Sequence, residues 1–263
     1  MKSGSPLSFV ETARIIEPAR LKASFGARVE GSTTEPALDL DKMPQGVVTG
    51  NTLIDYSATT EVMRSGISLA LAFANRSALA EMGPGADEDD FFAAYKSNLV
   101  RVGFIASQGA FVKSTFKKKG LAVHKAIIPF LTAALGGAGV GPVLVALLQN
   151  LQVADSDRPW ITLFDRETRM FETREMHFAA AASDNVLTSV RHVAARLFFV
   201  DKETNVLFFK VSDMAAEFES TTMTLSINNG LLASIEPVLR DRLAASAVDF
   251  IRSASISDAG VDN

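Results

Sequence analysis

Between Lys125 and Asp155 the chain runs for 29 residues, Ala126 to Ala154, without one charged side chain. In water a ribbon of that kind must be covered, so the rest of the fold has to supply the cover. As one helix it would be about 43 Å long, whereas a bilayer core needs roughly 20 residues and 30 Å. The glycines decide against one helix. Gly136, Gly137, Gly139 and Gly141 interrupt the run, and Pro142 restarts it at a position where a missing N–H is harmless. Pro129 limits the leading leg, because inside a helix it removes a hydrogen bond and crowds the preceding turn. Two legs of roughly 10 to 15 residues remain, about 15 to 22 Å each, and neither crosses a membrane alone.

The spacing therefore predicts a helical hairpin. Phe130 and Leu131 belong to its first leg, and Leu144, Leu147, Leu148 and Leu151 give the second an apolar face. Two uses follow. The hairpin is either part of a soluble core, which is the expectation, or an element that docks into a bilayer or a partner on demand. For the second use the candidate docking residues are Lys117, Lys118, Lys119, Phe130, Leu131, Gly136, Gly137, Gly139, Gly141, Pro142, Leu144 and Leu148. The three lysines read first as a solvated bend, with phosphate or lipid-headgroup binding as the rarer use.

Residues 1–55 carry Pro6, Pro18, Pro36 and Pro44 among several glycines, which reads as an extended arm with a short helix near Ser8–Ile16. Ser57–Met82 reads as a helix stopped by Gly83-Pro84-Gly85, with a strip of small residues at Gly66, Ala70 and Ala74 for close packing. A second helix follows the acids Asp87–Asp90, which suit a helix N-terminus, and is expected to continue to Phe111.

From Trp160 the texture turns to strands. Residues 160–164 read as a short strand, Met170–Phe178 as another, and Arg196–Val211 as a hairpin turning at Asp201–Asn205. Glu217–Ile227 alternates cleanly. Asn228-Asn229-Gly230 then reads as a tight turn into a return strand at Leu231–Ile235. A closing helix is expected after Pro237, through Leu239, Leu243, Ala247 and Phe250 to about Ser253.

Composition removes several chemistries. There is no cysteine, so disulfides, thiolate catalysis and cysteine-ligated metals are excluded. A net charge of −4 argues against nucleic acid. His124, His177 and His192 lack zinc-ligand spacing, although His177 and His192 fall on predicted strands and could meet in space. GGAGVGP at 136–142 is not a phosphate loop, since Pro142 and Val143 stand where lysine and Ser/Thr are needed. No nucleophile elbow occurs, and Glu217 with Glu219 reads as a solvent-facing strand pair. No catalytic, cofactor or metal site is expected. Charged residues make up only 21 % of the chain, below the usual quarter, so part of the surface is expected to be covered by a partner or a membrane.

The resulting expectation is an α+β protein: an arm (1–55), a helical region with the glycine-rich hairpin (56–154), and an antiparallel β-rich region with a closing helix (155–263). Helices preceding strands favour packing on one face of the sheet, or two subdomains with a boundary near Asp155–Pro159. The function expected is non-catalytic interaction or assembly, with self-association as homo-oligomer or with a protein partner. The alternative is a membrane-active protein, pore-forming or peripherally lipid-binding, using residues 126–154. The N-terminus lacks the apolar run of a secretory signal, so the cytoplasm, or export by a signal-independent route, is the expected location.

Overall fold

The computed structural model describes residues 4–16, 38–107, 112–116, 123–135, 142–151, 158–169, 173–198, 207, 216–243 and 250–254. In chain order the elements are α1 (Pro6–Thr12), β1 (Gly46–Thr49), β2 (Thr52–Ala58), α2 (Glu61–Glu81), α3 (Glu88–Val102), β3 (Ile105–Ala106), β4 (Val112–Phe116), α4 (Val123–Ala134), α5 (Pro142–Asn150), α6 (Pro159–Glu167), β5 (Arg174–Ser183), β6 (Leu187–Phe198), β7 (Ala216–Asn228), α7 (Asn229–Leu243) and β8 (Ile251–Ser253). The fold is α+β, as the sequence predicts.

One sheet organises it, in the order β3–β7–β6–β5–β2–β1–β8, with β4 also paired to β7. β5, β6 and β7 form an antiparallel meander, and β2 joins it by running parallel to β5. Side chains alternate across the strands, so each face collects its own core. Ile54, Ala179, Val190, Ala194 and Leu225 meet α1, α2, α3 and α7 on one face. Leu53, Met176, Phe178, Val193 and Ala195 meet α4, α5 and α6 on the other. Helices thus cover both faces, not the single face expected. The parallel β2–β5 seam demands this, because a strand buried on both sides needs a helical layer over each.

Local chemistry explains the elements. Asp87 accepts from the N–H groups of Asp89 and Asp90, while Asp90 accepts from the Asp87 N–H, a reciprocal cap that starts α3. Gly103, at φ +118°, ends that helix at Val102, well short of Phe111. Gly66 on α2 does mark a close approach: a Cβ there would lie 3.0 Å from Leu232 on α7.

Several elements differ from expectation. The stretch read as an arm places β1 and β2 inside the sheet, turned by Gly50 at φ +58° with Thr49 opposite Thr52. Residues 160–164 are helical, because Pro159 opens a turn in which Trp160, Leu163, Phe164 and Glu167 share one buried side. Leu231–Ile235 is helix rather than strand. The Asn228 side chain accepts from the Leu231 N–H and starts α7, which absorbs Pro237 and ends at Leu243. The closing helix expected after Pro237 is met at Leu239, Leu243 and Phe250; residues 244–249 lie outside the described residues, and Ile251–Ser253 form β8. Of the Arg196–Val211 hairpin, the first arm continues β6 to Phe198, and the turn at 201–205 lies outside the described residues.

The two helical layers are pinned to each other by a buried ion pair. Arg76 of α2 donates to Glu167 of α6 at 3.0 Å, and Arg166 donates to the second carboxylate oxygen at 2.7 Å. Burial pushes the Glu167 carboxyl up, but the two guanidinium groups outweigh it and hold it below the ordinary carboxylate range.

Candidate functional site

The uncharged span forms two helices, α4 and α5, and lies on the β2–β5–β6 face. Val123, Ile127, Leu131 and Leu135 recur along one side of the first, and Leu144, Leu147, Leu148 and Leu151 along the second. All eight are buried, with Trp160, Met176 and Phe178 beneath them. Of the candidate docking residues, Leu131, Leu144 and Leu148 belong to this buried side. Phe130 is half-buried against the same core, and Pro142 is exposed. Lys117, Lys118, Lys119, Gly136, Gly137, Gly139 and Gly141 lie outside the described residues.

The C-terminal end of α4 and the N-terminal end of α5 meet one rung of the sheet. Gly46 on β1 stands opposite Asp55 on β2, Asp55 beside Ala180 on β5, and Ala180 opposite Arg191 on β6. Three of the four members have a task. Gly46 lets α5 come close, since a Cβ there would lie 3.1 Å from Val143 and 3.2 Å from Leu147. Asp55, buried, accepts from the Leu144 N–H at 2.9 Å in the first turn of α5. Arg191 donates to the Leu135 carbonyl at 3.0 Å, just past the end of α4. A carboxylate thus meets a helix N-terminus and a guanidinium meets a helix C-terminus, the pairing that both helix dipoles favour. The remaining Asp55 oxygen accepts from the Ser57 N–H at 2.7 Å.

The outer side of the hairpin is the unusual one. Its exposed residues are Lys125, Pro129, Ala133, Pro142, Ala146, Gln149 and Asn150. Lys125 is the one formal charge in the described hairpin, whereas α3 alone carries Glu88, Asp89, Asp90, Lys96 and Arg101. A helix that only seals a core ordinarily faces water with a charged stripe. These two do not.

On the opposite face the sheet brings His177 and His192 together, their ring centroids 4.7 Å apart. Both are fully buried, and Glu175 joins His177 to Arg196. Among the described residues no group of three or more His, Asp or Glu is placed to hold a metal ion. Glu219, read as solvent-facing, is half-buried and stands opposite Arg196 in the β-ladder.

Sequence reasoning located the hairpin but not its seat. Gly46, Asp55, Ala180 and Arg191 are far apart in the chain and share no local signature. Only the strand register assembles them.

No protein-family model matches the sequence, and no curated protein matches it. A solved structure titled delta-endotoxin overlays 82 % of this chain and 91 % of its own, at 13 % identity and a TM-score of 0.40. Likeness at that level carries no argument about this chain.

Proposed function

We propose that the protein is membrane-active: it stores the α4–α5 hairpin on a sheet face in water and transfers it to a lipid surface. The observation that carries this reading is the nearly charge-free outer side of a hairpin whose inner side is wholly apolar. Magnitudes support the transfer. Burying eight large aliphatic side chains stabilises the seat by at most about 12 to 24 kcal/mol, so in water the hairpin stays put. A bilayer offers those same side chains hydrocarbon, which removes most of that difference. The polar ties at the end of α4 and the start of α5, each worth about 1 to 2 kcal/mol, are the smaller barrier.

Length limits the mode of insertion. Twelve residues of α4 and nine of α5 give legs of about 18 and 14 Å. No helix among the described residues is long and apolar enough to cross a membrane. The hairpin therefore lies within one leaflet, as interfacial amphipathic helices do.

The test mixes the protein with anionic and with neutral liposomes at several pH values. Sedimentation, dye release and Trp160 emission are read together. Trp160 is the single tryptophan and lies under the hairpin, so its emission moves when the hairpin leaves. Absence of sedimentation and of dye release in every condition would eliminate the reading.

Self-association is a second reading, favoured by a different observation. Beyond the hairpin the same sheet face exposes Ile105, at 76 %, and Leu187, at 40 %, beside Thr222, Thr224 and Ser226. Two copies meeting there would cover both apolar residues. A strict monomer by light scattering at high micromolar concentration counts against it.

A further inference from the structure

We propose that the buried histidine pair is an acid-operated release for α3. The geometry is closed on all sides. His177 on β5 and His192 on β6 share one face of the sheet two rungs apart, opposite Ala194 and Ala179, and both are shut off from solvent. Their roof is α3: the Tyr95 ring lies 5.6 Å from His177 and 5.9 Å from His192, and Phe92 meets His177 edge-on at 6.1 Å. The titratable and charged groups around the pair are Glu175 from β5, Arg196 from β6, Tyr95 with Glu88 and Asp89 from α3, and Tyr56 from β2. Across β7 the residue opposite His192 is Met223.

The two rings are held differently. His177 Nε2 bonds to Glu175 at 2.7 Å, and the other Glu175 oxygen accepts from Arg196 at 2.7 Å. Arg196 in turn donates to the Asp89 carboxylate and to the Glu88 carbonyl, so this chain of bonds fastens the first turn of α3. His192 has no hydrogen-bond partner at either ring nitrogen among the described residues. Burial first, and the neighbouring His177 second, depress its proton affinity well below the ordinary 6.5.

The sign follows directly. With α3 closed, His192 resists a proton; with α3 lifted and water admitted, it takes one near pH 6.5. Acid therefore draws the molecule toward the lifted form, by up to tenfold in the equilibrium for each pH unit below about 6.5. The strands cannot yield instead, because β5 and β6 are bonded along ten consecutive rungs. α3 is fastened by side chains and flanked by glycines in left-handed conformation, Gly85 before it and Gly103 after it. Lifting it uncovers the apolar side formed by Phe91, Phe92, Tyr95, Leu99 and Val102.

Hydrogen exchange of the full chain, without lipid, at pH 7.5 and pH 5.0 and corrected for intrinsic rates, tests this. The expected result is a loss of protection of at least tenfold in residues 88–102 relative to 61–81, abolished in H192L, which cannot take a proton. Equal protection of α3 at both pH values, or an undiminished acid response in H192L, would overturn the proposal. Should H192L fail to fold, the wild-type imidazole Cε1 proton signals decide. His192 must titrate only together with the loss of α3 protection; an independent titration near pH 6.5 overturns the proposal. Because lipid is absent, either result is separable from the fate of the hairpin reading.

Discussion

Asp55 and Arg191 stand on the same rung of the sheet, separated only by Ala180, and each holds the end of a different helix. With strands about 4.8 Å apart, their backbones sit about 10 Å from each other. That spacing matches two antiparallel helices packed side by side at 8–10 Å. The rung therefore holds the end of α4 and the start of α5, with its charges in the order the helix dipoles require.

The first prediction concerns that rung. Asp55→Ala leaves the Leu144 and Ser57 N–H groups without their acceptor and should destabilise the hairpin by about 1 to 2 kcal/mol. Hydrogen exchange in residues 142–150 should rise, and dye release from liposomes should quicken several-fold. Asp55→Asn keeps an acceptor and should fall between. Arg191→Ala should act at the end of α4 with a smaller effect, within about 1 kcal/mol.

A second prediction separates the two sides of α5. Ala146 is exposed and Leu148 fully buried. Ala146→Asp should leave the thermal midpoint nearly unchanged but abolish liposome binding, because a carboxylate would have to enter the leaflet. Leu148→Asp should unfold the layer outright, as it buries an unpaired charge. Liposome binding by Ala146→Asp equal to wild type would sink the hairpin reading while leaving the fold intact.

Gly46 supplies a third. A Cβ there would come within 2.8 Å of the Ala254 carbonyl as well as against Val143 and Leu147. Gly46→Ala should cost about 1 to 3 kcal/mol in urea unfolding, with Trp160 emission shifted already in the folded state.

The fourth is a pH dependence in two steps. Glu167 is held below 4.5, so its contribution to stability is complete above about pH 4.5 and is lost as pH falls below that value. His192 acts earlier, from about pH 6.5 downward. Glu167→Gln should remove the lower step from a pH–stability curve and leave the upper one. Arg76→Ala, which leaves Glu167 with Arg166 alone, should cost about 3 kcal/mol at pH 7.

The sequence revealed what depends on near neighbours. The long helix from Glu61, the acid-capped helix from Glu88, the alternating strand to Ile227 and the hairpin of α4 and α5 all carry their period in consecutive residues. It misled where one short run satisfies two periods. Trp160–Phe164 is as apolar as a strand and as amphipathic as a helix, and only Pro159 tips the balance. Asn228-Asn229-Gly230 has the residues of a tight turn, yet no described residue other than glycine has positive φ. Asn228 works as a cap instead. The β1–β2 hairpin hid among glycines and prolines because its turn, Gly50-Asn51, looks like any other break.

The candidate sites were less legible. The leucines of the hairpin were visible, but the rung beneath it joins four strands through register, which no local pattern encodes. His177 and His192 were placed on strands correctly. That they face α3 from rungs two apart, one bonded to Glu175 and the other without a hydrogen-bond partner among the described residues, follows only from the pairing of β5 with β6.

The last described strand bears on how the molecule comes into being. Thr49 on β1 pairs with Ile251 on β8, so β1 has this neighbour only after about 200 further residues have been synthesised. Until then that side of the sheet is an open row of peptide groups, free to recruit a strand from another nascent copy. Closure over so great a sequence distance is also slow. Production of this protein is thus most exposed to aggregation in the interval before residues 250–254 leave the ribosome, whatever the stability of the finished fold.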